Sequence, residues 1–413
     1  MNRFEAFTTQ FVQGVGAKEG AVSPVIANSA AFAYGDPETA QGIFDGSVKK
    51  PLYARVGNPT SGRLESLLAQ MEGGAGAIAT SSGMAATTLA VMSLLESGDE
   101  IISIGGLFGG TYSLFEETLS RFGIKSSFFD VDALEEVKSV INAKTKLIYL
   151  ESVGNPNMRL PDLEAVVSIA DAHGIALMVD NTVTPLSIQP LKLGADIVVY
   201  STTKLIAGNA SALGGAAVFR AINEGRDKFK TSRYAPIRKF IDKMGETALI
   251  AVGKKRAMRD FGMSPSAFNS YMTMLGLETL PLRLDRIVGS VETIVHALKE
   301  AGLNVNHPSL RDHPHHDRFT TRFKNGTGPL FTIDMGSAEA AYAFLRNTKL
   351  ATITANIGDS RTLALHMAST IYSDFGDRER AFLGITPGLI RVSVGLENPD
   401  DIIEDFIAAA QSV

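Results

Sequence analysis

The sequence predicts an α/β protein: a mostly parallel sheet with helices on both faces, followed by a smaller C-terminal α+β domain. Three observations carry this. Apolar runs of strand length alternate with helical patterns from about residue 61. After about residue 255 that alternation gives way to long helical patterns and scattered strands. The chain has 413 residues, more than one compact core accommodates.

Taken in order, residues 1–60 are rich in Gly, Pro, Ser and Asn and lack sustained periodicity. They read as an N-terminal arm that needs another surface to order it, expected from a neighbouring subunit. Residues 63–71 read as a helix, and 85–95 as a small-residue helix ending before Gly98. Strands are expected at 100–104, 126–129, 147–150, 176–179 and 197–200, with helices at 112–122, 133–141 and 162–173 between them. This large domain is expected to span 61–255. In the C-terminal domain, 256–413, the pattern predicts helices at 257–271 and 281–301, then strand 329–335, helix 338–347, strand 389–394 and helix 400–410.

Apolar residues make up 45% of the chain and charged residues 20%, an ordinary globular balance. The net charge of −5 leaves no polybasic footprint, so neither nucleic acid nor an acidic membrane is an expected partner. Cysteine is absent, which excludes disulfides, thiolate metal sites and a cysteine nucleophile, and fits a cytoplasmic location. Neither a signal peptide nor a transmembrane span is apparent. The run Asp312-His313-Pro314-His315-His316-Asp317 has metal-ligand residue types. Consecutive residues seldom converge on one ion, and Pro314 with the flanking charges predicts an exposed loop, so no metal is expected.

The chemistry-bearing segment is 176–204, which reads ALMVDNTVTPLSIQPLKLGADIVVYSTTK. Two buried strands end in polar residues at one sheet edge, where ligands of such sheets bind. Asp180 ends the first strand, and Ser201, Thr202, Thr203 and Lys204 follow the second. Alone, the Asp reads as a cap and the Lys as a solvated loop residue. Together they suit pyridoxal 5′-phosphate (PLP). The lysine amine would hold the cofactor aldehyde as a Schiff base, and the carboxylate would keep the pyridine nitrogen protonated. A second element, Thr80-Ser81-Ser82-Gly83-Met84-Ala85-Ala86, leads from an apolar run into a helix. Its backbone N–H groups could take a phosphate, or Ser82 could simply cap the helix. Neither GxGxxG nor GxxxxGK[ST] occurs, which weakens dinucleotide and triphosphate readings.

These segments, in order along nearly the whole chain, resemble the Cys/Met-metabolism family of PLP enzymes, a fold-type I group. The carrying motifs are Tyr53-Ala54-Arg55-Val56-Gly57-Asn58-Pro59-Thr60, Ser81-Ser82-Gly83-Met84-Ala85-Ala86, Glu151-Ser152-Val153-Gly154-Asn155-Pro156, Asp180-Asn181-Thr182, Ser201-Thr202-Thr203-Lys204 and Arg391-Val392-Ser393-Val394-Gly395-Leu396-Glu397. The resemblance implies that Lys204 is the Schiff-base lysine and proton carrier, and that Asp180 pairs with the ring nitrogen. It implies Thr182 and Tyr112 on the two ring faces, and Ser82, Gly83, Met84, Ser201 and Thr203 around the phosphate. Tyr53 and Arg55 would reach the phosphate of a neighbouring subunit. Arg391, with Asn155 and Asn356, would hold the substrate carboxylate.

Within the family the chain is most similar to O-acetylhomoserine sulfhydrylases, through segments 258–269, 275–280 and 356–363 and the stretch 221–256. That implies γ-replacement of acetate by sulfide to give homocysteine. O-succinylhomoserine sulfhydrylase, cystathionine γ-synthase and methionine γ-lyase are the near alternatives, and a non-catalytic PLP-binding or sulfur-handling protein the distant one. Two places depart from the family pattern: Asn209 after Gly208, and Met367 after His366. The resemblance also implies a homotetramer, a dimer of dimers with shared active sites. A sulfur-carrier protein is an alternative source of the sulfur. Arg226, Lys228, Lys230 and Arg233 are candidates for a second carboxylate clamp, which cysteine would need as a co-substrate.

Overall fold

Seven strands form the larger sheet of the computed structural model, which describes residues 2–16, 20–223, 225 and 227–413. They are β1 (Gly76–Thr80), β2 (Glu100–Ile104), β3 (Lys125–Phe129), β4 (Thr145–Glu151), β5 (Ala176–Asp180), β6 (Ile197–Tyr200) and β7 (Gly215–Phe219). Their order is β1-β7-β6-β5-β4-β2-β3. Strands β6, β5, β4, β2 and β3 are parallel, while β7 runs antiparallel to both β6 and β1. Two reversals restore the direction of β1. Its carboxyl end therefore lies at the same sheet edge as those of β4, β5 and β6.

Burial on both faces explains why these strands read as apolar runs. In β5, Ala176 and Met178 join one core cluster while Leu177 and Val179 join another. In β6, Ile197 and Val199 face one way, and Val198 and Tyr200 the other. Strand β7, Gly-Ala-Ala-Val-Phe, is the one the sequence pattern does not single out. Small residues make it a weak apolar run, yet its five positions are all buried.

A second sheet contains β8 (Val305–Asn306), β9 (Leu330–Asp334), β10 (Thr352–Ile353), β11 (Leu363–His366) and β12 (Leu389–Ser393), in the order β10-β11-β12-β9-β8. The helix Ala267–Glu300 links the two sheets. It replaces the two helices expected at 257–271 and 281–301. Gly262, at φ +70°, closes the short helical stretch before it, and Ser266 caps the long helix by accepting from the Asn269 N–H. Pro281 lies inside the helix. An interior proline costs about 3 kcal/mol. A buried stripe including Met274, Leu277, Leu280, Leu284 and Ile287 runs through it and holds the helix together.

Residues 2–60 depart from the expectation of an arm ordered only by another subunit. The helix Glu5–Val15 buries Phe11 and Val15 against Ala267–Glu300 and Pro59–Glu72 of its own chain. The helix Pro37–Asp45 is capped by Asp36 and closed by left-handed Gly46. The segments between stay open, with Val22, Val25 and Tyr53 exposed. The histidine loop is also different from expectation. His313 and His315 are buried, and His315 bridges the Leu160 N–H and the Asp132 carboxylate. Among the described residues no group of side chains could hold a metal, and no helix is long and apolar enough to cross a membrane.

Phe11→Ala tests the intramolecular anchoring of the N-terminal helix. Truncating a fully buried phenylalanine costs about 3 kcal/mol or more. The melting temperature is expected to fall by several degrees. An unchanged melting temperature would show that this chain does not hold the helix.

Candidate active site

Carboxyl ends of β4, β5 and β6 meet the first turn of the helix Gly83–Leu94 around a cavity of about 220 Å³. Its wall includes Ser82, Gly83, Met84, Asn155, Asp180, Thr182, Ser201, Thr203, Lys204 and Arg391. Ten residues expected at the site from motifs scattered over 310 positions are thus brought together. Asn356 is in direct contact with the group: its Oδ1 accepts from Lys204 Nζ at 2.7 Å, and its carbonyl accepts from Arg391 Nη2 at 3.3 Å.

Each side chain is placed by local structure. Asp180 ends β5, where its Oδ1 accepts from the Thr182 N–H at 2.9 Å and its Oδ2 faces the Tyr149 hydroxyl at 3.4 Å. Thr182 Oγ1 in turn accepts from the Ser201 N–H at 2.8 Å, tying the β5 end to the β6 end. Ser82 caps the helix by accepting from the Ala85 N–H. The first-turn amides of Gly83 and Met84 have no intrahelical acceptor and stand in the cavity wall. Gly83 is required here, because a Cβ would lie 2.6 Å from Ser201 Cβ. Thr203 is less available than expected. Its hydroxyl accepts from the Gly214 N–H at 2.9 Å and faces the Gly214 carbonyl at 3.1 Å.

The charges are unusual. Burial, and then the proximity of Arg391, push the Lys204 amine down to about 8. Burial pushes Arg391 down to about 10. Arg391 is 3% exposed, donates from Nη1 to Asn155 Oδ1 at 3.1 Å, and has no carboxylate partner among the described residues. On the opposite side, burial raises the Asp180 carboxyl. Glu151, paired with Asp180 in strand register, is raised well above the carboxylate range by burial and by Asp180. Sequence reasoning did not assign Glu151 to the site. The available signal was its position at the end of β4, matching that of Asp180 on β5.

Besides Asn356, three expected residues lie outside the wall. Tyr112 follows Thr111, which is in the wall, but its ring packs on Phe128 at 4.6 Å and Phe375 at 5.5 Å. Tyr53 and Arg55 are exposed, with the Arg55 guanidinium 5.4 Å above the Tyr53 ring. The candidates for a second clamp also stand apart from the cavity. Lys228 pairs with Asp171 and Asp196, Arg233 donates to carbonyls of residues 142–145, and Lys230 donates to the Gly225 carbonyl. Arg226 lies outside the described residues.

An amine driven toward its neutral form, a strand-end carboxyl, and a glycine-bearing helix start at one sheet edge are the donor set that PLP requires. Fold and site together define a PLP-dependent enzyme of fold type I. The chain belongs to the Cys/Met metabolism PLP-dependent enzymes, whose family model matches residues 8–411. It is 37% identical over 386 residues to O-acetyl-L-homoserine sulfhydrylase 1 of Thermus thermophilus, covering 90% of this chain and 91% of that one. It is 35% identical to the homocysteine/cysteine synthase of Saccharomyces cerevisiae, covering 90% and 88%. Among solved structures it matches a Campylobacter jejuni chain provisionally described as O-acetylhomoserine (thiol)-lyase, which contains N′-pyridoxyl-lysine-5′-monophosphate. The TM-score is 0.91 at 33% identity, covering 98% and 99%.

The lowered Lys204 value makes a pH prediction. An amine must be neutral to attack the cofactor aldehyde, so capture of PLP by the apoprotein should accelerate as pH rises through about 8. Stopped-flow growth of the visible cofactor band is expected to show that midpoint, and Lys204→Ala should show no band. A midpoint near the ordinary lysine value, or a band in the variant, would contradict the assignment.

Proposed function

We propose that the protein is an O-acetylhomoserine sulfhydrylase, converting O-acetylhomoserine and sulfide to homocysteine and acetate in the cytoplasm. The observation that carries this is a buried Arg391, without an anionic partner among the described residues, in the same cavity as Lys204 and Asp180. The names of the Thermus and Saccharomyces relatives support the same reading.

PLP supplies an electron sink next to the substrate Cα. Lys204 holds the cofactor at rest. Once the substrate amine releases it, Lys204 Nζ takes the Cα proton and carries it onward. Asp180 keeps the proton on the ring nitrogen, while Thr182 and Tyr112 are assigned to the two ring faces. Gly83 and Met84 amides, with Ser82, Ser201 and Thr203, cradle the phosphate. Arg391 binds the substrate carboxylate through its planar fork, with Asn155 and Asn356 orienting it. A second proton, from Cβ, leaves before the Cγ–O bond breaks and acetate departs with the electron pair. Sulfide then bonds to Cγ, and protons return to Cβ and Cα to give homocysteine.

Cysteine as the sulfur donor would bring its own carboxylate and ammonium. Leaving either buried without a partner costs roughly 1–3 kcal/mol or more. The basic residues 228, 230 and 233 are engaged elsewhere, which favours sulfide over the cystathionine γ-synthase reading. We assign Tyr53 and Arg55 to the phosphate of a second copy, in a tetramer built as a dimer of dimers. Their exposure, away from their own cavity, supports this.

Two measurements test the proposal. With O-acetylhomoserine held constant, kcat/KM for sulfide should exceed that for cysteine by roughly tenfold or more. Equal or greater efficiency with cysteine would move the assignment to cystathionine γ-synthase. For the shared site, Arg55→Ala and Lys204→Ala are each expected to be inactive alone and partly active when co-expressed. A mixed oligomer that forms but stays inactive would rule sharing out.

A further inference from the structure

We infer that Tyr372 is a positioning residue for the carboxylate clamp: with Glu151 it brackets Asn155, and Asn155 orients Arg391. The inference rests on Arg391 being the clamp of the proposed reaction. Three polar groups of Asn155 are engaged on this path. The Asn155 N–H donates to Glu151 Oε2 at 3.4 Å, its carbonyl faces the Tyr372 hydroxyl at 3.2 Å, and its Oδ1 accepts from Arg391 Nη1 at 3.1 Å.

The same two side chains hold the turn after β2. The Phe108 N–H donates to Glu151 Oε1 at 2.7 Å. The Tyr372 hydroxyl lies 3.3 Å from the Leu107 carbonyl. Glu151 ends a strand of the larger sheet, whereas Tyr372 follows β11 of the smaller one. The bracket therefore joins the two sheets at the cavity. Both residues are buried, Tyr372 completely. The contact is close: a Cβ on Gly109 would lie 3.2 Å from the Tyr372 ring.

A buried carbonyl deprived of its donor retains its full desolvation cost, so it shifts to find another. The Tyr372 hydroxyl has one proton to share between the Leu107 and Asn155 carbonyls, so removing it takes away the donor that lies nearest to both. Asn155 then no longer fixes the guanidinium plane, and a bidentate partner is sensitive to that plane. Carboxylate recognition weakens, while the lysine and the phosphate cradle on the other strand ends keep their supports. Ground-state and transition-state binding suffer alike, so KM rises with little change in kcat.

The test uses holoenzyme with L-norleucine, an amino acid without a leaving group, and pentylamine, the same molecule without its carboxylate. Binding of each is read from the shift in the cofactor's visible absorbance. Tyr372→Phe is expected to raise the Kd of norleucine about tenfold and leave that of pentylamine unchanged. Arg391→Met, run in parallel, should abolish the preference for norleucine. A wild-type ratio in Tyr372→Phe, or equal weakening of both ligands, overturns the bracket while leaving the clamp intact. A preserved preference in Arg391→Met shows instead that the clamp reading is wrong, and the inference falls with it.

Discussion

Taking an arginine side chain out of water costs several kcal/mol even after relaxation, unless an anion meets it. Among the described residues Arg391 hydrogen-bonds to the amide oxygen of Asn155 and the carbonyl of Asn356. Much of the site follows from that imbalance. Asn356 serves two cations at once, taking Lys204 on its side chain and Arg391 on its backbone. Burial, and then the proximity of Arg391, push the lysine toward the neutral amine. The carboxyls Asp180 and Glu151 are gathered on neighbouring strands, where burial raises both and Asp180 raises Glu151 further. Arg391, an amine pushed toward neutrality and two acids pushed toward protonation thus line one cavity. A cationic ring nitrogen beside Asp180 would favour its ionised form, and a substrate carboxylate would pair Arg391.

The fold makes this arrangement by topology. Parallel strands deliver their carboxyl ends to one edge, and the double reversal through β7 brings β1 and its following helix to that edge as well. Glycine lets the pieces approach. A Cβ on Gly215 would lie 2.1 Å from the Ser82 carbonyl oxygen, so β7 can pack beneath the turn at Ser82 only without a side chain. The smaller sheet contributes Arg391 from β12 and closes the cavity from the far side.

Part of this was legible in sequence because it is local. Asp180 and the run to Lys204 stand at the ends of apolar runs, so strand geometry alone puts them at one edge. Strand β7 was not legible, since Gly-Ala-Ala-Val-Phe carries too little apolar contrast. The helix through Pro281 was read as two, because the packing that holds it comes from distant elements. The N-terminal helix was missed because it depends on Phe11 meeting a helix more than 250 residues away. Glu151 was visible within a motif, but its relation to Asp180 needed strand register. Tyr372 gave no signal at all; its role depends on two backbone carbonyls brought together only in the folded chain.

The central claim is that the cavity's unbalanced charges are complementary to PLP and an amino-acid carboxylate. A crystal structure of the holoenzyme with L-norleucine tests it most directly. The account predicts the ring nitrogen within hydrogen-bond distance of Asp180, the phosphate on the Gly83 and Met84 amides, and the carboxylate paired with Arg391. A ring nitrogen turned away from Asp180, or a carboxylate bound elsewhere with Arg391 still unpaired, would contradict it.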